Sequence, residues 1–123
     1  MKNKISFSLK ARATSIRYAY EGLLAFFSSQ HNAIIHLVFT VVVFTAAIYF
    51  KIPRLELIAL SLATGFVWSA EIFNTAIEAA MDHLSPAKHS KVKFIKDVSA
   101  AAVLVSAVTA AIVGLFVFIP QII

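Results

Sequence analysis

The sequence predicts an all-α membrane protein, with an N-terminal amphipathic surface helix followed by three transmembrane helices. Three observations lead there. Of 123 residues, 60% are hydrophobic and only 14% are charged, whereas an ordinary soluble domain is roughly 45–50% apolar and about 25% charged. The mean hydropathy is +0.86, more apolar surface than so small a soluble fold can bury. The apolar residues also gather into three long runs. The same composition excludes a disordered chain, which is poor in aliphatic residues and rich in charge. With no cysteine there is no thiolate metal site, catalytic thiol or disulfide, and three glycines do not make a Gly-rich phosphate loop.

Residues 1–32 form the first element. Ile5, Leu9, Ala13, Ile16, Tyr20, Leu23 and Phe27 recur at steps of three and four, with Lys2, Lys4, Lys10, Arg12 and Arg17 between them. That is one apolar stripe on a basic helix, the pattern of a helix lying in a membrane interface. No uninterrupted apolar stretch follows the basic start, so the segment does not read as a signal peptide.

The three spans follow in order. Residues 33–50 are apolar apart from His36, residues 55–81 carry Glu56, Glu71, Asn74 and Glu78, and residues 98–119 have no charge. About 20 residues at about 1.5 Å each cross a bilayer core as a helix. Ala100, Ala101, Ala102, Ser106, Ala107, Ala110, Ala111 and Gly114 in the third run read as a surface for close helix packing. His36 and Trp68 are expected to pack within the bundle, and His31 and His89 have no partner at metal-binding spacing.

Orientation follows from the basic residues. Five of the 11 lie in residues 1–32, two in the turn Lys51–Arg54 and four in the loop 82–97. The five and the four share a side if there are three spans, which puts the N-terminus and the second loop in the cytoplasm. The net charge of +5 is accounted for by topology and lipid head groups, and nucleic acid is not needed to explain it.

Chemistry concentrates in the second span. A carboxylate within a membrane helix costs about 2.5–3.5 kcal/mol on insertion scales, so it usually faces an interior and marks function. Glu71, Asn74, Thr75, Glu78 and Asp82 fall at i, i+3, i+4, i+7 and i+11. At about 100° per residue, Glu78 and Asp82 lie about 20° to either side of Glu71, so one helix face carries all three acids. The stripe runs into a loop bearing Lys88, Lys91, Lys93, Lys96, His83 and His89. Carboxylates beside a cluster of cations point to a divalent metal with phosphate, and a deeper carboxylate suits a general base. The same acids also fit an ion or proton path, or interhelical hydrogen bonds. The spacing alone leaves these readings open.

A resemblance narrows them. Glu71-Ile-Phe-Asn74-Thr-Ala-Ile-Glu78 resembles the E-x-x-N-[ST]-A-I-E signature of the small prokaryotic diacylglycerol kinase family, which includes undecaprenol kinases. Lys96-Asp97 followed by Ala100-Ala-Ala-Val-Leu is similar to its K-D-x-x-[AS]-A-A-V-L block. Arg17-Tyr-Ala-Tyr-Glu-Gly22-Leu resembles its surface-helix segment, and Gln30-His-Asn-Ala-Ile-Ile-His36 its E-x-N-x-R-I-H segment. The likeness runs from about residue 5 to 120.

The resemblance implies a homotrimeric enzyme of the bacterial inner membrane, with active sites shared between subunits. It would transfer the γ-phosphate of ATP to a lipid hydroxyl, using Mg2+. The acceptor would be diacylglycerol, giving phosphatidic acid, or undecaprenol, giving undecaprenyl phosphate. Position by position, Glu71 matches the catalytic base and Glu78 a carboxylate that holds metal and nucleotide. Tyr18, Ala87, Lys88, His89, Lys96 and Asp97 match nucleotide contacts. Asn74, Arg12 and Ala100 match supporting residues. Gln30 stands where the family carries a second metal- and nucleotide-binding Glu, and Ile34 where it commonly has Arg. A neutral carbonyl in place of that carboxylate implies weaker magnesium binding. A non-catalytic homologue, or an ion- or proton-conducting protein of the same fold, is the alternative that this departure keeps open.

Overall fold

The computed structural model describes residues 6–87 and 89–123. Four helices follow one another: α1 Leu9–Ser29, α2 His31–Tyr49, α3 Arg54–Leu84 and α4 Ser90–Ile122. The chain divides into two compact units, one ending at Ile34 and the other beginning at Ile35. Lys2, Lys4 and Ile5 of the predicted surface helix lie outside the described residues.

In the first unit, Ser8 starts α1 by accepting the Ala11 N–H on its hydroxyl at 3.2 Å, an N-cap that satisfies one of the free amides of the first turn. The helix stops at Gln30, whose backbone is extended and whose N–H still donates to the Phe26 carbonyl. A single residue therefore separates α1 from α2. Leu9, Ile16, Tyr20 and Leu23 of the apolar stripe are exposed on α1.

Helices α2, α3 and α4 are long and apolar enough to cross a membrane. Most of their large apolar side chains point outward, including Val38, Val41, Leu62, Phe66, Leu104 and Phe116. In water such a surface would be costly; in lipid the solvent is as apolar as the side chain. Helix α3 has 31 residues, about 46 Å at 1.5 Å per residue, so its charged end extends beyond a hydrocarbon core of about 30 Å.

The turn from α2 to α3 is a Schellman motif. The Ile52 N–H donates to the Ala47 carbonyl and the Lys51 N–H to the Ile48 carbonyl, with Lys51 at φ 52°. Such motifs favour glycine at the left-handed position; here a lysine holds it. Ile52 packs on a small core of Ala47, Leu60 and Val117, the hydrophobic contact that usually accompanies this cap. Pro53 then opens α3.

The segment 82–97, read from sequence as a loop, is helical for much of its length. Asp82 to Leu84 close α3, and α4 begins at Ser90. His89 caps α4 by accepting the Lys91 N–H on Nδ1 at 3.1 Å. Helices α3 and α4 pack against each other extensively. Of the small-residue surface expected on α4, Ser106 is fully buried, whereas Ala100, Ala101, Ala102 and Ala111 are exposed. A Cβ at Gly114 would meet nothing within 4 Å.

Candidate active site

The antiparallel register of α2 on α3 sets the deepest polar contact. Ala47 meets Leu60 in the core at one end of the pair, and toward the other end Trp68 Nε1 donates to Thr40 Oγ1 at 3.0 Å. One turn further along each helix, His36 Nε2 and Glu71 Oε1 are 2.7 Å apart. Glu71 is only 7% exposed. A carboxylate so far from water requires a hydrogen-bond partner, and His36 supplies it. The expectation that His36 packs within the bundle as a satisfied side chain does not name this partner. No periodicity within a single helix relates position 36 to position 71.

The remaining polar residues of α3 climb toward its charged end. Asn74 Oδ1 accepts the Ser99 hydroxyl at 2.7 Å, a bond between α3 and α4. Asn74, Thr75 and Glu78 are half-buried, and Asp82 is exposed, so the face carrying the acids is the one turned inward. Asp82 accepts a hydrogen bond from Lys96 Nζ at 2.5 Å. Lys96 precedes the uncharged run that begins at Val98. The hydrogen bond to Asp82 raises its pKa; partial desolvation works against this, and the charges of Asp82 and Glu78 add to the rise. Lys93 pairs in turn with Asp97 at 2.5 Å.

Asp82, Ala87, His89, Lys93, Lys96 and Asp97 line a single cavity of about 520 Å³. Four of the residues matched to nucleotide contacts (Ala87, His89, Lys96 and Asp97) therefore share one chamber at the charged end of α3 and α4. Lys88, the fifth in this stretch, lies outside the described residues. Ala100 is exposed on α4. Arg12, Tyr18 and Gln30 belong to the first unit. Arg12 is exposed. The Arg17 guanidinium lies 5.5 Å from the centre of the Tyr18 ring and 3.7 Å from Glu21, and the Gln30 side chain is half-buried beside its helix break.

The donor set bears on magnesium. Among the described residues no three His, Asp or Glu side chains come together as a metal cage. Of the three acids on one face of α3, Glu71 is engaged by His36 and Asp82 by Lys96, which leaves the Glu78 carboxylate for a cation. Magnesium is commonly held by one or two carboxylates plus substrate phosphates. The residues fit a metal that arrives with a nucleotide, not a site complete in itself.

Ser99 also escaped the sequence reading, although it sits between Asp97 and Ala100 in the block that carries the resemblance. Its pairing with Asn74 depends on the packing of α3 on α4, which no motif prints.

Residues 17–118 match the family described as prokaryotic diacylglycerol kinase. Over 107 residues the chain is 36% identical to a diacylglycerol kinase of Synechocystis sp., an alignment covering 86% of this chain and 61% of that protein. It is 30% identical over 107 residues to the undecaprenol kinase of Bacillus subtilis, covering 87% of each. The chain thus spans less than two thirds of the Synechocystis relative's length, and most of the Bacillus one. By the extent of the family match and these identities, the chain belongs to the prokaryotic diacylglycerol kinase family.

Proposed function

We propose that the chain is an ATP-dependent lipid kinase, transferring the γ-phosphoryl group of ATP to the hydroxyl of diacylglycerol or undecaprenol. The observation that carries this reading is one helix, α3, that holds a buried carboxylate at Glu71 and ends at a cavity lined by the paired Lys93, Asp97, Lys96 and Asp82. A lipid hydroxyl reaches the first from the bilayer, and a nucleotide reaches the second from water.

In the reaction, Glu71 accepts the acceptor's hydroxyl proton as the oxygen–phosphorus bond forms and the bond to the bridging oxygen of ADP breaks. Lys96 and Lys93, which line the cavity, would hold phosphate oxygens as point charges. Phosphoryl transfer depends chiefly on positioning and charge neutralisation, so a small helical scaffold suffices. Glu78, with the Gln30 carbonyl as a weaker donor, would hold magnesium together with the phosphates. Bound there, the ion would offset charge on the transferring group. Asn74 holds α3 on α4 through Ser99.

The reading includes a homotrimer in which Arg12, Tyr18 and Gln30 serve a site shared between subunits. The exposed apolar faces, and Glu78 as the one acid of the Glu71, Glu78 and Asp82 face that no hydrogen bond or ion pair engages among the described residues, support it. The basic stripe of residues 1–32 is read as an interfacial helix at the cytoplasmic face of the inner membrane. The nine-to-two division of Lys and Arg supports that orientation.

The test uses purified protein in lipid, labelled ATP and magnesium, with diacylglycerol and undecaprenol offered separately. Label is expected in phosphatidic acid or in undecaprenyl phosphate. Label in neither lipid, from folded protein, contradicts the proposal.

A further inference from the structure

The contacts around Glu71 go beyond a single hydrogen bond. The Thr40 hydroxyl donates to the His36 carbonyl at 2.7 Å, and Trp68 Nε1 donates to the same hydroxyl at 3.0 Å. The Trp68 ring meets the His36 imidazole edge-on, with centroids 6.1 Å apart. The imidazole thus lies between the indole and the carboxylate it faces, and the threonine that bonds its backbone carbonyl also accepts the indole N–H. Among the described residues, His36 is the only hydrogen-bond partner of Glu71, and it engages Oε1.

We infer that His36 is a positioning residue for the phosphoryl transfer: it fixes the Glu71 carboxylate by engaging Oε1, so that Oε2 is presented to the acceptor hydroxyl. The inference rests on Glu71 being the base proposed above. A carboxylate on a flexible stem has several rotamers, and proton abstraction needs one within hydrogen-bond reach of the hydroxyl. The Thr40–Trp68 bond stiffens the frame in which that rotamer is set. His36 does not touch substrate in this scheme; it acts through Glu71.

A purely structural link between α2 and α3 would give a different pattern of kinetics. His36→Phe keeps a planar ring against Trp68 and removes the nitrogen. The inference predicts a fall in kcat of about 100-fold, the scale associated with small misplacements of a reacting group, while KM for magnesium-ATP holds. His36→Gln returns a nitrogen near the Nε2 position and recovers most of the loss. Unchanged kcat in His36→Phe overturns the inference, as does failure of Gln to rescue. If His36→Phe does not fold, nitrogen-15 resonances of the His36 ring are compared between the native protein and Glu71→Gln. A changed Nε2 resonance supports the contact, and an unchanged one overturns it. Glu71→Gln is also assayed: activity there means the base assignment has failed, whereas an inactive Glu71→Gln beside a fully active His36→Phe means only the positioning role has failed.

Discussion

Glu71 and His36, 35 positions apart in sequence, meet at 2.7 Å between α3 and α2. The contact places the most deeply buried acid of the chain against an imidazole ring. Glu78 and Asp82, on the same helix face, lie progressively closer to water. One helix therefore carries carboxylates in three different settings. Their proposed tasks are separate: proton acceptor for Glu71, metal donor for Glu78 and anchor of Lys96 for Asp82.

Gln30→Glu places a carboxylate where the resemblance implies a second metal-binding acid. The magnesium concentration giving half-maximal transfer is expected to fall, because a hard divalent cation prefers a charged oxygen donor to a neutral one. Titration of magnesium at saturating ATP checks it. An unmoved midpoint would show that Gln30 lies away from the metal.

Lys96→Met should raise KM for ATP while leaving the fold nearly intact. The ion pair of Lys96 with Asp82 is largely exposed on the carboxylate side, and such pairs contribute about 0–1 kcal/mol to stability. Loss of ATP affinity with an unfolding midpoint close to the native one is the expected result. A large loss of stability would make Lys96 a structural residue.

Lys51→Gly is expected to stabilise the protein. A non-glycine residue in the left-handed region costs roughly 1–2 kcal/mol, and the added freedom of glycine in the unfolded chain returns about 0.5–1 kcal/mol of that. The relief of strain exceeds the entropic loss, so a net gain of roughly 0.5 to 1 kcal/mol is predicted. Reversible unfolding in detergent measures it, and a loss of stability would show that the lysine side chain has a compensating partner.

Thr40→Val removes both hydroxyl bonds, to the His36 carbonyl and from Trp68. Interhelical hydrogen bonds in membranes average about 0.6 kcal/mol, with a maximum near 1.7, so the stability cost is expected to stay below about 2 kcal/mol. Transfer should slow less than in His36→Phe, since the nitrogen facing Glu71 is retained. A greater loss of kcat than His36→Phe would mean that the threonine contributes by another route.

Much of this was legible in the sequence, for specific reasons. The apolar runs announce the helices α2, α3 and α4 because lipid forces long, uncharged segments. The i, i+7, i+11 spacing puts Glu71, Glu78 and Asp82 on one face because helical periodicity is local. Partners across helices were not legible. His36 with Glu71 and Ser99 with Asn74 depend on antiparallel register, set by distant packing around Ala47, Leu60 and Val117. The helical content of 82–97 was hidden by its charges and by Pro86, which read as a loop although the irregular stretch is short. Lys51 at positive φ ran against residue preference, because the two cap hydrogen bonds and the burial of Ile52 hold the turn together.

The most direct test of the central claim is phosphate transfer by Glu71→Gln, measured beside the native protein with each lipid acceptor. Glutamine keeps the shape and a polar contact for His36 but cannot serve as the base. The native protein is expected to label a lipid, whereas the variant binds ATP with native affinity and transfers no phosphate above background. Transfer by the variant at the native rate would contradict the account and remove Glu71 from the chemistry.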